Sequence, residues 1–379
     1  MNLHHLSTPV ALLDEKRLLH NVQRMQQRMN GLGVRLRPHV KTAKSVPVAQ
    51  LQAQAGAQGI TVSTLKEAEI FFDAGFNDIL YAVCVTPHKL KQALQLRLRG
   101  CQLKLLVDSV AAAQALASEL HGGHVFDTMI EIDCDGHRGG ITPDNPALLQ
   151  VGRVLHRGGT RLAGVMTHAG ASYECRTPAA LQAMAEQERS RCLQAAEVLR
   201  AGGLPCPEVS VGSTPTALSA QHLQGVTEVR AGVYIFQDLV MHGVGVCSVN
   251  EIALSVLCTV IGHQPEKGWL LVDAGWMAMS RDRGTQDQAV DHGYGAVCDE
   301  NGVLIDGLMM SGANQEHGIV SWRAGAVETN AAAMKHRFAV GTRLRVLPNH
   351  ACATAAQFPA YTVLKTDGSL QEWPRFSGW

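Results

Sequence analysis

Lys41 could form an imine with a carbonyl compound, although a lysine taken alone more often reads as a solvated surface group. Arg35, Arg37, His39, Lys41 and Lys44 crowd one short stretch. A lysine buried beside other cations has its ammonium form disfavoured and becomes a nucleophilic amine. Arg35 and Lys44 read equally as surface charges. Gly212-Ser213-Thr214 brings close backbone N–H groups and two hydroxyls to the start of a helix, a seat for an anion, and Gly232 lets a second backbone segment approach without a Cβ. Either loop alone suits an ordinary tight turn, but the two together favour a phosphate. His350 and Cys352, at i and i+2 of an extended segment, point to one side and suit a divalent metal such as zinc; a buried cysteine beside a hydrogen-bonded histidine is the competing reading. Arg281 and Arg283 are cations for a substrate carboxylate, or else surface charges or dimer contacts. Gln315, Glu316 and His317 either position substrate and metal-bound water or form a hydrogen-bonded turn before Gly318.

These residues need elements to bring them together. Eight short strand-like runs fall at 34–39, 59–62, 79–82, 103–107, 129–132, 162–167, 208–211 and 228–231. Helix-like segments lie between most of them, at 45–55, 64–74, 109–120 and 177–201, several opening on a Ser or Thr placed as an N-cap. Alternating β and α elements imply parallel strands with crossover helices, and eight repeats close a (β/α)8 TIM barrel, whose site forms at the C-terminal strand ends. Lys41 follows the first strand. Asp133, His137 and Arg138 follow the fifth, and His168 and Tyr173 the sixth. The seventh runs into Gly212-Ser213-Thr214, and the eighth into Arg230, Gly232 and Tyr234. Barrels commonly bind phosphate at the loops after strands seven and eight.

After Cys247 the texture changes. Runs at 252–261, 269–273, 341–347 and 361–364 are strand-like, without alternating helices, and 9–13 precedes the barrel and is free to join their sheet. The expected organisation is a barrel over 14–246 and a mainly antiparallel β domain over 1–13 and 247–379.

Composition narrows the classes. The chain has 379 residues, 46% of them hydrophobic, with 33 basic and 33 acidic side chains. That balance argues against nucleic-acid and membrane-surface partners. No apolar run approaches ~18 residues and no signal peptide is evident. The 10 cysteines lack a CxxC pair and read as reduced, buried side chains. The expected location is cytoplasmic.

Arg37-Pro38-His39-Val40-Lys41-Thr42 resembles the cofactor-lysine motif of the metal-activated fold-type III pyridoxal-phosphate enzymes, a group that includes D-threonine aldolases and D-serine and D-3-hydroxyaspartate dehydratases. The resemblance runs from Thr8-Pro9 through Gly59-Ile60-Thr61-Val62-Ser63, Asp135-Gly136-His137-Arg138 and Asp273-Ala274-Gly275 to Glu316-His317-Gly318 and Asn349-His350-Ala351-Cys352. It implies an alanine-racemase-like barrel plus β domain, usually a homodimer. It implies Lys41 as Schiff-base lysine and general base, Arg138 at the cofactor's phenolic oxygen, and His168 near the ring. Gly212, Ser213, Thr214, Gly232 and Tyr234 would hold the phosphate, and Arg230 would face the pyridine nitrogen.

His350 and Cys352 follow the dehydratase pattern, where aldolases resemble His-x-Asp. The metal would be Mn, Co, Ni, Zn or Mg, polarising a β-hydroxyl for loss. The wording of Trp276-Met277-Ala278-Met279-Ser280-Arg281-Asp282-Arg283-Gly284 and His350-Ala351-Cys352-Ala353-Thr354 implies dehydration of D-threo-3-hydroxyaspartate to oxaloacetate and ammonia. D-serine dehydration and D-threonine retro-aldol cleavage are the alternatives, and a non-catalytic cofactor-binding protein is a more distant one.

Overall fold

The computed structural model describes residues 3–119, 126–325 and 331–379. Two compact units emerge, Gln23–Gly232 with Gly378–Trp379, and Met1–Val22 with Val233–Ser377. Strand β1 (Val10–Asp14) and the helix Glu15–Gly31 open the chain.

The first unit holds eight short strands: β2 (Arg35–Leu36), β3 (Ile60–Val62), β4 (Asp78–Cys84), β5 (Gln102–Val107), β6 (Asp127–Ile132), β7 (Arg161–Thr167), β8 (Glu208–Val211) and β9 (Glu228–Val229). All neighbouring pairs are parallel, in the order β2-β9-β8-β7-β6-β5-β4-β3. The remaining gap is bridged just past β2. His39 pairs with Thr61, Val40 N–H donates to Thr61 O at 3.0 Å, and Thr61 N–H donates to Pro38 O at 2.8 Å. The sheet therefore curls shut into the expected barrel.

Apolar runs buried on both faces, such as Leu103–Val107, are what a parallel sheet covered by helices requires. The helices start where their caps stand. Thr64 accepts from Glu67 N–H, Thr177 from Ala180 N–H and Ser109 from Ala112 N–H. Ser45 makes no side-chain cap, and a proline in the first turn starts that helix instead. The final residue of the helix expected over 109–120 lies outside the described residues.

The barrel interior includes one dense ionic knot. Arg37, wholly buried, donates to Glu228 at 2.9 Å and to both oxygens of Asp78 at 2.9 and 2.8 Å. Glu228 also accepts from Ser210 at 2.8 Å. Removing one member strands the others without compensation, so Arg37→Ala should cost about 3–5 kcal/mol, read as a lowered urea midpoint. A midpoint within error of wild type would show the knot to be dispensable.

The second unit is built on β1 with β10 (Leu254–Gln264), β11 (Trp269–Val272), β12 (Gly295–Cys298), β13 (Leu304–Ala313), β14 (Gly318–Trp322), β15 (Arg343–Pro348), β16 (Ala360–Leu364) and β17 (Leu370–Pro374). The order is β11-β14-β13-β12-β15-β10-β1-β16-β17, and an added β10–β11 pairing closes the first six strands into a ring. Every pair is antiparallel except β1 with β16. The ring is filled by side chains such as Val256, Val272, Val297, Met310, Val320 and Val346. None of the ten cysteines forms a disulfide. Among the described residues no helix is long and apolar enough to cross a membrane.

Candidate functional site

Lys41 stands in the turn after β2, at a C-terminal strand end, and is exposed rather than buried. Its charge still bears on its neighbours. His39 is held well below the usual histidine range by burial first and then by Lys41, Arg230 and His168. Its Nε2 lies 3.3 Å from Ser63 Oγ, while its buried Nδ1 has no partner. His168 is pushed down to about 3 by burial, against its bond to Gly212, with Lys41, Arg230 and Arg138 adding to the effect. His168 Nδ1–H donates to Gly212 O at 3.0 Å, leaving Nε2 as an acceptor. Tyr173, in the 3-10 turn Gly170–Glu174, places its ring 6.3 Å from that of His168.

The loop after β6 is pinned by its own carboxylates. Asp133 Oδ1 accepts from Gly136 N–H at 2.7 Å, and Asp135 Oδ2 accepts from Ala171 N–H at 2.9 Å. A Cβ on Gly170 would come within 2.2 Å of the His137 ring. Arg138, mostly exposed, reaches Glu131 at 3.4 Å.

The two glycine turns meet backbone to backbone. A Cβ on Gly212, whose φ is +138°, would lie 2.1 Å from Arg230 O, and one on Gly232 would lie 3.0 Å from both His39 O and Thr42 Oγ1. Any side chain there would fill the cradle. Arg230 is buried, with Nε donating to Ser210 Oγ at 2.9 Å and a second nitrogen bonded to Thr167 O. Burial lowers its pKa, opposed by Glu228 and Glu188.

Two of the anticipated phosphate donors are already engaged. Gly212 N–H goes to Glu188 at 3.1 Å, and Ser213 N–H goes to Thr216 Oγ1 at 3.0 Å inside a capping box. Thr214 opens the helix Thr214–Ser219. Tyr234 is buried in the 3-10 turn Val233–Ile235, counted with the second unit.

Glu188 is the residue that sequence reasoning missed here. From the helix Pro178–Ala201 it accepts from Ala169 N–H at 2.8 Å as well as Gly212 N–H. It thereby ties the loops after β7 and β8, and burial raises its pKa. The signal was present: Leu181, Ala185, Glu188 and Cys192 share one buried helical face, where a carboxylate is out of place.

In the second unit, His350 and Cys352 differ from the extended pair expected. His350 is the N-cap of a short helix, Ala351–Ala355, and Cys352 lies in its first turn. The cap geometry still brings the two side chains into hydrogen-bond contact. His350 Nδ1–H donates to Asp282 Oδ2 at 2.9 Å, leaving Nε2 for a metal. Burial opposes a charge on His350, yet Asp282 and Cys352 together lift it to about 11, so metal binding would displace a proton.

An imidazole nitrogen, a thiolate and an orienting carboxylate form a donor set that fits a borderline divalent ion. Asp282→Asn should weaken metal binding roughly tenfold to a hundredfold, measured by equilibrium dialysis; unchanged affinity would dismiss the carboxylate's role. Arg281 stacks 4.2 Å over the Trp276 ring. Arg283 pairs with Asp291 at 2.8 Å. Gln315 and His317 sit exposed in the hairpin turn between β13 and β14, where Gln315 O accepts from Met277 N–H at 3.1 Å and His317 O from Asn314 N–H at 2.8 Å.

Half-buried, neutral histidines give stability a pH dependence. His39 and His168 titrate far below the ordinary value near 6.5, as does His292, held to about 4 by burial, Arg323 and His242. Between those values and 6.5 the unfolded chain binds more protons, so stability falls as pH drops below 6.5, by at most about tenfold per histidine per pH unit in the folding equilibrium. Urea unfolding at pH 7.5 and 5 should show the decline. His168→Gln should make it shallower, and an identical slope would contradict the assignment.

Residues 13–239 match the family described as alanine racemase, N-terminal domain, and residues 253–364 the putative serine dehydratase domain. The chain is 65% identical over 376 residues to a D-threo-3-hydroxyaspartate dehydratase from Delftia sp. (strain HT23), covering 99% of this chain and 98% of that protein. A solved structure of a D-threo-3-hydroxyaspartate dehydratase, a cysteine-to-alanine variant in the metal-free form, superposes with a TM-score of 0.96 at 62% identity over 100% of both chains. A D-serine dehydratase from Dictyostelium discoideum is 29% identical, covering 97% of this chain and 96% of that protein.

Proposed function

This chain belongs to the family that joins an alanine racemase N-terminal domain to a serine dehydratase domain, and from that premise we propose that it dehydrates D-threo-3-hydroxyaspartate to oxaloacetate and ammonia. The observation that carries the reading is end-to-end identity of 65% to a D-threo-3-hydroxyaspartate dehydratase. The proposed cofactors are pyridoxal 5'-phosphate and a divalent metal, and the proposed assembly is a homodimer.

Lys41 would hold the cofactor's aldehyde carbon. Thr214 and Gly232 would contact the phosphate, beside Gly212 and Ser213, whose N–H groups serve Glu188 and Thr216. Bound pyridoxal phosphate supplies an electron sink for charge developing at Cα. A divalent ion on His350 and Cys352 supplies a Lewis acid for the hydroxyl that leaves.

The chain's own groups do the rest. Lys41 Nζ takes the α-proton, the geometric task of a general base. His168, neutral and fixed by Gly212 O, presents Nε2 as an acceptor. Arg230, pinned by Ser210 and Thr167, is a buried cation, and such a group facing a ring nitrogen disfavours its protonation. Water lost in the elimination returns when the enamine-type product hydrolyses, so the net change is release of ammonia.

Product analysis tests the reading. D-threo-3-hydroxyaspartate, D-serine and D-threonine are supplied in turn, and keto acid, ammonia and aldehyde are quantified. Oxaloacetate with ammonia is expected. Glyoxylate with glycine would replace dehydration by retro-aldol cleavage.

A further inference from the structure

The loop between Met279 and Gly295 is fastened to the segment that carries His350. Asn349 Nδ2 donates to Asp282 O at 3.0 Å and to Gly293 O at 2.7 Å, and Asn349 Oδ1 accepts from Thr285 Oγ1–H at 3.1 Å. Thr285 Oγ1 in turn accepts from His292 N–H at 3.1 Å. With the Asp282–His350 bond, these ties fix both ends of the loop relative to the His350–Cys352 pair.

The same loop meets Arg323, just past β14. One Arg323 terminal nitrogen donates to His292 Nδ1 at 3.4 Å, and its backbone N–H is held by Gly307 O at 2.7 Å. Burial, Arg323 and His242 keep His292 neutral, so it orients the guanidinium without balancing its charge. Among the described residues no carboxylate lies within ion-pair range of Arg323; the nearby Asp291 is engaged by Arg283 at 2.8 Å. Arg283 itself lies 5.2 Å over the Tyr294 ring. The Nε–H groups of Arg323 and Arg283 are both sealed from solvent without an acceptor. A sealed donor on a cation is costly unless an anion meets it, and the planar guanidinium fork matches a carboxylate.

We propose that Arg323, oriented by His292 and flanked by Arg283, binds the carboxylate on Cβ of the substrate and so selects dicarboxylic β-hydroxyamino acids over D-serine. This rests on the dehydratase reading above, which supplies a substrate with a carboxylate next to the leaving hydroxyl. The ties through Asn349 and Asp282 connect the arginine-bearing loop to the residues assigned to the metal that would handle that hydroxyl. Arg323 acts on binding and selection, and the chemistry stays with Lys41 and the metal pair.

The test uses enzyme loaded with pyridoxal phosphate and Mn2+, as wild type, Arg323→Gln and Arg323→Lys. KM and kcat are measured for D-threo-3-hydroxyaspartate and D-serine, beside the visible spectrum, metal content and sedimentation. In Arg323→Gln, KM for hydroxyaspartate should rise roughly tenfold to a hundredfold, the loss of a charged hydrogen-bonded contact. Its kcat, spectrum and metal content should move less than about threefold, values for D-serine should hold, and Arg323→Lys should recover part of the loss. If Arg323→Gln fails to fold, the lysine variant decides by the same KM shift in smaller measure. An unchanged KM, or an equal loss on both substrates, overturns the proposal. So does a shift in oligomeric state without a shift in preference, which would assign Arg323 to a contact with a second copy. Wild-type enzyme that makes no oxaloacetate would instead sink the functional reading itself.

Discussion

Lys41→Ala is expected to lose turnover by roughly 10³-fold or more, because on the proposed reading one amine performs two tasks. It would anchor the cofactor and then serve as the base at Cα, and each task alone is worth orders of magnitude. Among the described residues the neighbouring titratable groups are poorly suited to replace it. His39 and His168 are held far below the ordinary histidine range by burial and surrounding cations, and Arg230 is spent on Ser210 and Thr167. Borohydride reduction followed by peptide mass spectrometry gives a readout independent of activity. The wild-type peptide containing Lys41 should carry a pyridoxyl adduct, and the variant should carry none. An adduct on Lys44 instead would move the site, although Lys44 is committed to Glu67 at 2.9 Å.

Cys352→Ala is expected to produce the second-largest loss, roughly 10²–10³-fold in kcat at limiting metal, while leaving the cofactor spectrum intact. The size follows from the several kcal/mol that a Lewis acid contributes when a hydroxyl must leave. Removing the thiolate leaves His350 as the single protein donor of the pair, with Asp282 alone at hydrogen-bond distance favouring its protonated form. Metal affinity should drop with activity, and excess Mn2+ should restore part of the rate. Full turnover with Cys352 absent would remove the metal pair from the reaction. The cysteine sits half-buried in the first turn of a short helix, so its truncation leaves the core intact and the melting temperature near wild type.

The barrel was legible because parallel strands leave strong marks. Runs such as 103–107 and 162–167 are buried on both faces and contain little but apolar residues, and the turn chemistry between them is local. β1 pairing with β10 was also foreseeable, since Val10 to Leu13 has an apolar strand pattern and no place in the barrel. Long-range ties were not. Glu188 and Asp282 each stabilise a loop far away in sequence, and their meaning depends on which backbone groups the fold delivers to them.

For His350 and Cys352 the sequence suggests a two-residue period, whereas a helix cap provides their approach. The phosphate seat shows the same limit. Gly212 was identified as a close-approach position, but the sequence does not reveal that its N–H already serves a buried carboxylate.

The most direct measurement of the central claim is the stoichiometry of products under metal control. Enzyme loaded with pyridoxal phosphate and Mn2+ is given D-threo-3-hydroxyaspartate, and oxaloacetate and ammonia are followed together, with and without EDTA. The predicted result is equal release of the two, stopped by EDTA and restored by added Mn2+. Release that ignores EDTA, or substrate consumed without oxaloacetate, would contradict the assignment of this chain as a metal-assisted dehydratase.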